Sequence, residues 1–258
     1  MQQIKAAIPN LLTLTNLGCG AVGIILVLDY RATKEDTVWI AVMMVTAMLC
    51  DFLDGFVARL LGVSSPLGKE LDSLADMVTF GLLPGLLVYA MLKEVLPNDI
   101  TYDIFGRSKE AVPLWQELLC FAGLIIPLFS ALRLAKFNID TRQSDKFLGL
   151  ATPANAFFWL SVFLIFRLDN ANDWSWHLTF WVRNPVVLLV LTALSSILLV
   201  TELPLIAFKF KTKGLAANWP KFLFLGISVI LLAILQYRAG PPILLLYFIF
   251  SMIDATRK

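Results

Sequence analysis

Asp51, Asp54, Asp72 and Asp76 crowd one short stretch, DFLDGFVARLLGVSSPLGKELDSLAD, between two strongly apolar runs. A carboxylate inside a membrane-spanning helix is expensive and is kept where something compensates it. Four carboxylates call for a shared partner, because the one arginine of the stretch, Arg59, cannot neutralise them all. A divalent cation fits, and carboxylate oxygens suit magnesium, manganese or calcium rather than zinc or copper. Spacing supports convergence. Asp51, Asp54, Gly55, Ala58 and Arg59 fall on one stripe of a helix, and Gly68, Asp72 and Asp76 fall on another. Val63, Ser64, Ser65 and Pro66 between them read as a turn, so two helices can face each other with both stripes inward. Gly55 leaves room for a bulky ligand at the backbone, and Arg59 can fork onto a phosphate or pair with the aspartates.

The elements that must position these groups are membrane helices. The chain has 258 residues, 59% of them hydrophobic and 16% charged, with a mean hydropathy of +0.78. That composition describes an all-α integral membrane protein, a polytopic helical bundle. Eight apolar spans are expected near residues 9–28, 38–61, 71–92, 115–134, 151–166, 185–200, 222–237 and 242–253. The number falls to six if the final pair is a re-entrant hairpin. The chain reads as a single transmembrane domain over 1–258, with the polar site carried by 9–156, its aspartate stretch at 51–76, and additional helices at 185–253. The first run has no small-x-small cleavage site and is expected to remain as a helix.

Lysine and arginine are biased to the side holding Lys5, Arg59, Lys69, Arg133, Lys136 and Lys209, which predicts a cytoplasmic N-terminus and an aspartate turn near the cytoplasmic face. Trp39, Trp115, Trp174, Trp176, Trp181 and Trp219 lie at span ends, as interfacial residues do. The segment from Lys93 to Pro113 reads as a polar excursion on the other side. The basic run of Lys209, Lys211 and Lys213 reads as a solvated loop touching anionic lipid. A net charge of +2 with no suitable basic run argues against nucleic acid. Cys19, Cys50 and Cys120 are dispersed in apolar runs and suggest neither a disulfide framework nor a zinc site. His177 lies in a tryptophan-rich loop with no evident partner group.

Two further polar clusters bear on the site. Asn10, Thr13 and Asn16 lie on roughly one face of the first span, either as interhelical hydrogen-bonding groups or as a face looking into the aspartates. Arg133, Lys136 and Asn138 close the fourth span. Lys136 reads as an interfacial anchor, whereas Arg133 lies about one turn inside the apolar run, where it could meet the acidic site or a carboxylate substrate.

The ordered pattern D-x2-D-G-x2-A-R-x8-G-x3-D-x3-D, filled at every fixed position, resembles the signature of the CDP-alcohol phosphotransferase family. Members are membrane enzymes that move a phosphatidyl or related group from a CDP-linked donor to an alcohol and release CMP. The resemblance implies that Asp51, Asp54 and Asp72 hold one Mg2+ or Mn2+ ion, and that Asp51, Asp72 and Asp76 hold a second. It implies Asp76 as general base, and Asn10, Thr13, Asn16, Gly55, Arg59 and Ser65 as contacts to CDP-diacylglycerol. The Arg133–Asn138 stretch is similar to R-x-A-R-F-N of the serine-accepting bacterial branch, with Lys136 in place of arginine. Phe147–Ala156 is similar to that branch's F-x-G-L-P-x-P-A-A-A, departing from it at Ala151 and Asn155. These likenesses imply L-serine as acceptor, with Arg133, Lys136 and Asn138 against it, phosphatidylserine as product, a bacterial inner-membrane location and a homodimer. Glycerol 3-phosphate or an inositol phosphate as acceptor is the nearest alternative. A cation transporter is a remote one, since a transport site belongs near the midplane.

Overall fold

The computed structural model describes residues 2–29, 33–63, 65–96, 114–139, 147–169, 176–206 and 215–256. The polar excursion over 97–113, the basic run of Lys209, Lys211 and Lys213, and the side chain of His177 lie outside the described residues.

The chain is a multi-pass helical membrane protein. Its first helices are α1 (Gln2–Leu28), α2 (Lys34–Leu61) and α3 (Pro66–Asp76). A π-helical segment, Met77–Leu82, carries α3 directly into α4 (Leu83–Val95). Next, α5 (Leu114–Cys120) passes through one 3-10 turn into α6 (Ile125–Ile139). Then come α7 (Thr152–Leu168), the short α8 (Trp176–Val182), α9 (Pro185–Val200), α10 (Leu215–Leu235) and α11 (Gly240–Thr256). Five helical stretches are long and apolar enough to cross a membrane, and Thr152–Leu168 and Pro185–Val200 are shorter apolar helices.

The last of the five stretches, Asn218–Asp254, doubles back on itself. Gln236 takes a positive φ of 52° at the reversal. Phe224 of α10 then packs against Tyr247 and Phe250 of α11, tilted to the first and edge-on to the second, with ring centroids 5.8 and 6.2 Å apart. An unbroken helix would hold Phe224 and Phe250 some ~39 Å apart at 1.5 Å per residue. With this hairpin counted as two helices, all eight expected apolar spans are present as helical segments.

Local chemistry sets the boundaries. Gly62 ends α2 in the left-handed region at φ 63°, with its N–H returned to the Ala58 and Arg59 carbonyls. Ser65 caps α3, its Oγ accepting the Gly68 N–H at 2.9 Å, and Pro66 follows in the first turn. Asn184 caps α9 by accepting from Val186 and Val187, again with proline next. A two-residue antiparallel pair, Phe147↔Leu205 and Leu148↔Pro204, ties the entry to α7 to the exit from α9.

Helix α7 is the centre of the bundle. Its residues from Phe158 to Phe166 are all buried, as expected of a helix that is apolar all round. Helices α2, α4, α9 and α11 pack around it. The outer faces carry exposed leucine, isoleucine, valine and phenylalanine, the surface a lipid solvent requires, and Trp39, Trp115 and Trp181 are exposed near helix ends.

At the end of the bundle remote from the aspartates, the fully buried Asp169 carboxylate accepts from Tyr237 Oη at 2.6 Å and from Arg238 Nε at 2.9 Å. Arg238 Nη2 stands 2.7 Å from it. This cluster fastens the corner of the α10–α11 hairpin to the end of α7. Removing one partner of a buried ion pair leaves an uncompensated charge. Arg238→Ala is therefore expected to lower unfolding stability by about 3 kcal/mol, read as a drop in melting temperature in detergent. An unchanged melting temperature contradicts the fastening role.

Candidate active site at the aspartate cleft

The site begins with a stripe on α1. Pro9, Thr13, Asn16, Gly20, Gly23 and Val27 are all buried, and their alternating spacing of four and three marks one helix face. The polar half of the stripe meets carboxylates, and the glycine half lets a neighbour approach. Thr13 Oγ1 stands 2.6 Å from Asp54 Oδ2 and 3.1 Å from the Pro9 carbonyl. Its single proton goes to the carboxylate, the shorter and charge-assisted contact. Asn16 Nδ2 points at Asp76 Oδ1 from 3.4 Å.

The glycine half sets the distance between α1 and the π-helical segment. Thr79 Oγ1 donates to the Asn16 carbonyl at 3.2 Å. A Cβ at Gly20 would fall 2.2 Å from Thr79 Oγ1 and 3.0 Å from Thr79 Cα. No rotamer relieves a clash with a backbone atom, so α1 itself must move. Gly20→Ala is expected to cost about 1–3 kcal/mol and to draw Asn16 away from Asp76. A melting curve and CMP release measured together check it, and wild-type values for both contradict the account.

Carboxylate oxygens of Asp51, Asp72 and Asp76 all lie within 4.8 Å of one another. Asp54 stands beside this group rather than in it, on the Thr13 side. Asp54 and Asp76 are buried, at 6% and 8% exposure, while Asp51 and Asp72 are half-buried. Among the described residues no lysine or arginine pairs with them; the ion pairs join Arg167 to Glu94 and Arg238 to Asp169. Asp72 Oδ1 is buried with no hydrogen-bond partner. An all-oxygen, uncompensated, converging set of this kind fits a hard divalent cation.

A cleft of about 410 Å³ opens onto this cluster. Asn10 and Thr13 line it from α1, Asp54, Gly55 and Arg59 from α2, and Ser65, Gly68, Lys69 and Asp72 from the turn and α3. The cluster therefore lies near one end of the bundle, since Asp54 is only about 10 Å of helix from the end of α2. A Cβ at Gly55 would meet nothing closer than Arg59 Nη2 at 4.0 Å, so its backbone faces open cleft. At Gly68 a Cβ would crowd Ser65 Oγ at 3.1 Å and Asn10 Oδ1 at 3.2 Å.

The residues of the fourth span separate. Arg133 is buried, with its guanidinium 6.0 Å from the Phe137 ring centroid and its Nε unpartnered. Lys136 is exposed. Asn138 acts as a latch: its side-chain Nδ2 donates to Ser73 Oγ at 2.9 Å, and its backbone carbonyl accepts from Lys69 Nζ at 2.8 Å. That latch holds the end of α6 against α3. Sequence reasoning did not anticipate Ser73, Lys69, Thr79 or Gly20, because each acts through a partner far away in the chain.

The family model for CDP-alcohol phosphatidyltransferase matches residues 6–253. The chain belongs to the CDP-alcohol phosphatidyltransferase family. It is 35% identical over 164 residues to a CDP-diacylglycerol–serine O-phosphatidyltransferase of Helicobacter pylori, covering 63% of this chain and 58% of that one. With the enzyme of that name from Bacillus subtilis the identity is 32% over 146 residues, covering 57% and 69%. An archaetidylserine synthase of Methanothermobacter thermautotrophicus is 30% identical over 152 residues, covering 58% and 54%. The match thus spans little more than half the length of the Helicobacter and Methanothermobacter relatives.

Proposed function

We propose that this protein transfers the phosphatidyl group of CDP-diacylglycerol to the hydroxyl of L-serine, giving phosphatidylserine and CMP. The observation that carries the reading is the uncompensated group of Asp51, Asp72 and Asp76, of which Asp72 lines a cleft with Gly55, Arg59 and Ser65 on its walls. Family membership supports the reaction class, and relatives named for serine support the acceptor.

Asp51, Asp54 and Asp72 would hold one Mg2+ or Mn2+ ion, and Asp51, Asp72 and Asp76 a second. Bound there, such ions neutralise diphosphate oxygens and stabilise charge on the attacking and leaving groups. The chain's own residues do the rest. Asn10, Thr13, Asn16, Gly55, Arg59 and Ser65 seat the CDP headgroup, the guanidinium of Arg59 forking onto phosphate oxygens. Arg133 meets the serine carboxylate, Lys136 adds positive charge at the rim, and Asn138 keeps α6 against α3. Asp76, steadied by Asn16, accepts the proton of the serine hydroxyl. The hydroxyl oxygen then bonds to the phosphorus that carries diacylglycerol, and that phosphorus loses its bond to the bridging oxygen, which departs with CMP. Positioning and electrostatics dominate such a transfer, since little covalent work is left to side chains.

The same reading gives one transmembrane domain, with the cleft at the cytoplasmic face of a bacterial inner membrane, working as a homodimer. Purified protein in detergent micelles with CDP-diacylglycerol tests it, with the alcohol and the metal varied in turn. Serine-dependent CMP release with phosphatidylserine formed is the expected result. Release with glycerol 3-phosphate or inositol phosphate but not serine refutes the acceptor, and release with no alcohol refutes the transfer.

A further inference from the structure

The contacts at the end of α6 close a ring. Lys69 Nζ donates to the Asn138 backbone carbonyl at 2.8 Å, Asn138 Nδ2 donates to Ser73 Oγ at 2.9 Å, and Ser73 Oγ donates to the Lys69 backbone carbonyl at 3.2 Å. Asn138 lies in the last turn of α6, which ends at Ile139, so its carbonyl has no partner within the helix. A cation placed there also meets the negative end of the helix dipole. Lys69 lines the cleft, yet its ammonium is turned to α6. Among the described residues it pairs with neither Asp54 nor Asp72.

The ring also fixes a register. Asn138 meets Ser73, and a Cβ at Gly81 would stand 3.1 Å from Ser130 Cβ. Residues 73 and 81 on one element and 138 and 130 on the other are both eight apart, so α6 runs antiparallel to α3 and its π-helical continuation without slippage. The same register brings Arg133 level with Val78, two residues or about 3 Å of helix beyond Asp76. Arg133 is within electrostatic reach of Asp76. The cation that the proposed function gives to the serine carboxylate is thus held beside the general base, with one contact on either side of it. The donor cleft takes its walls from α1, α2, the turn and α3, and none from α6. A shift of α6 therefore displaces the acceptor side and leaves the donor's seat in place.

We propose that Lys69 is a positioning residue for the acceptor: its ammonium, bound to the Asn138 carbonyl, holds α6 in the register that sets Arg133 beside Asp76. This rests on the proposed function and names what places its acceptor-binding group. Without the ammonium, α6 keeps its contact at Ser130 and is released at its end, and a misplacement of about 1 Å can cost as much as a hundredfold in such a transfer.

The test uses the full chain in detergent micelles with CDP-diacylglycerol and Mg2+ or Mn2+. CMP release is followed against L-serine for the wild type, Lys69→Met, Lys69→Arg and Ser73→Ala. Lys69 is exposed, so its replacement leaves the core intact. Lys69→Met keeps the stem and loses the ammonium, and is expected to raise the KM for serine about tenfold, the worth of one charge-assisted hydrogen bond. Lys69→Arg keeps a cationic donor for the carbonyl and should bring that KM back to within about threefold of the wild type. Ser73→Ala breaks the other arm of the ring and should raise it about threefold. The KM for CDP-diacylglycerol should move less than about twofold throughout, a split that a general loss of packing would not produce. An unchanged serine KM in Lys69→Met overturns the inference. So does a KM for CDP-diacylglycerol that rises by the same factor, or a Lys69→Arg protein no better than Lys69→Met. A wild type with no serine-dependent CMP release overturns the proposed function itself and this inference with it, and that control tells the two failures apart.

Discussion

Asp72→Asn is expected to lower CMP release from CDP-diacylglycerol by on the order of a thousandfold. The substitution keeps size and shape but removes one of the three carboxylates that lie within 4.8 Å of one another. It strikes the one whose Oδ1 is buried without a hydrogen-bond partner. Several kcal/mol of transition-state stabilisation come from a bound divalent ion, at about 1.4 kcal/mol per tenfold in rate. Chelation should produce the same loss in the wild type, reversed by adding back Mg2+ or Mn2+. Because three mutually repelling carboxylates meet with no pairing cation among the described residues, Asp72→Asn should also leave the metal-free protein no less stable. A melting curve and a rate assay on the same sample separate these effects. Full activity in Asp72→Asn, or in the chelated wild type, removes the basis for a metal-assisted transfer.

Asp76→Asn is expected to lower kcat by ~10²–10⁴-fold while the KM values for both substrates stay within a few-fold, which is the signature of a lost general base. Asp76 is buried, it ends α3, and Asn16 of α1 points at its Oδ1. Asn16→Ala removes that support without touching the base. It should lower kcat by a smaller factor, about tenfold, the worth of one hydrogen bond. If Asp76→Asn instead raises the KM for serine and spares kcat, Asp76 acts in binding and another group takes the proton.

Much of the site was legible in the chain because it is local. The aspartates of α2 and α3 sit at helical spacing on either side of a turn, and the turn announces itself through Gly62, Ser65 and Pro66. Periodicity puts Asp51 and Asp54 on one stripe and Asp72 and Asp76 on the other, and the turn lets the two stripes face each other. The eight apolar spans were equally legible, since a helix must satisfy its own backbone in lipid and leaves a long apolar run as its trace. The break between the spans at 222–237 and 242–253 was legible too, because Gly240, Pro241 and Pro242 interrupt the apolar run there, whereas the packing of Phe224 against Tyr247 and Phe250 is a contact between helices.

Other assignments depended on what lies across the bundle. Asn138 could have faced an acceptor by its position, yet it bonds to Ser73 and Lys69, sixty-odd residues earlier. Asp54 belongs to the aspartate pattern, but Thr13 takes hold of it from α1 and sets it beside the trio. Asn155 is only a departure from a resembling segment until its burial and its unpartnered amide are seen.

By itself the sequence determined that this is a membrane helix bundle with a carboxylate cluster suited to a divalent cation on two helices joined by a turn, because helix period, apolar run length and carboxylate spacing are properties of adjacent residues. Only the tertiary structure decided which polar groups of α1 reach that cluster, how closely Gly20 lets α1 approach Thr79, and which three of the four carboxylates meet. Those outcomes depend on interhelical distances of a few ångströms, which are set by side chains far apart in the chain packing against one another.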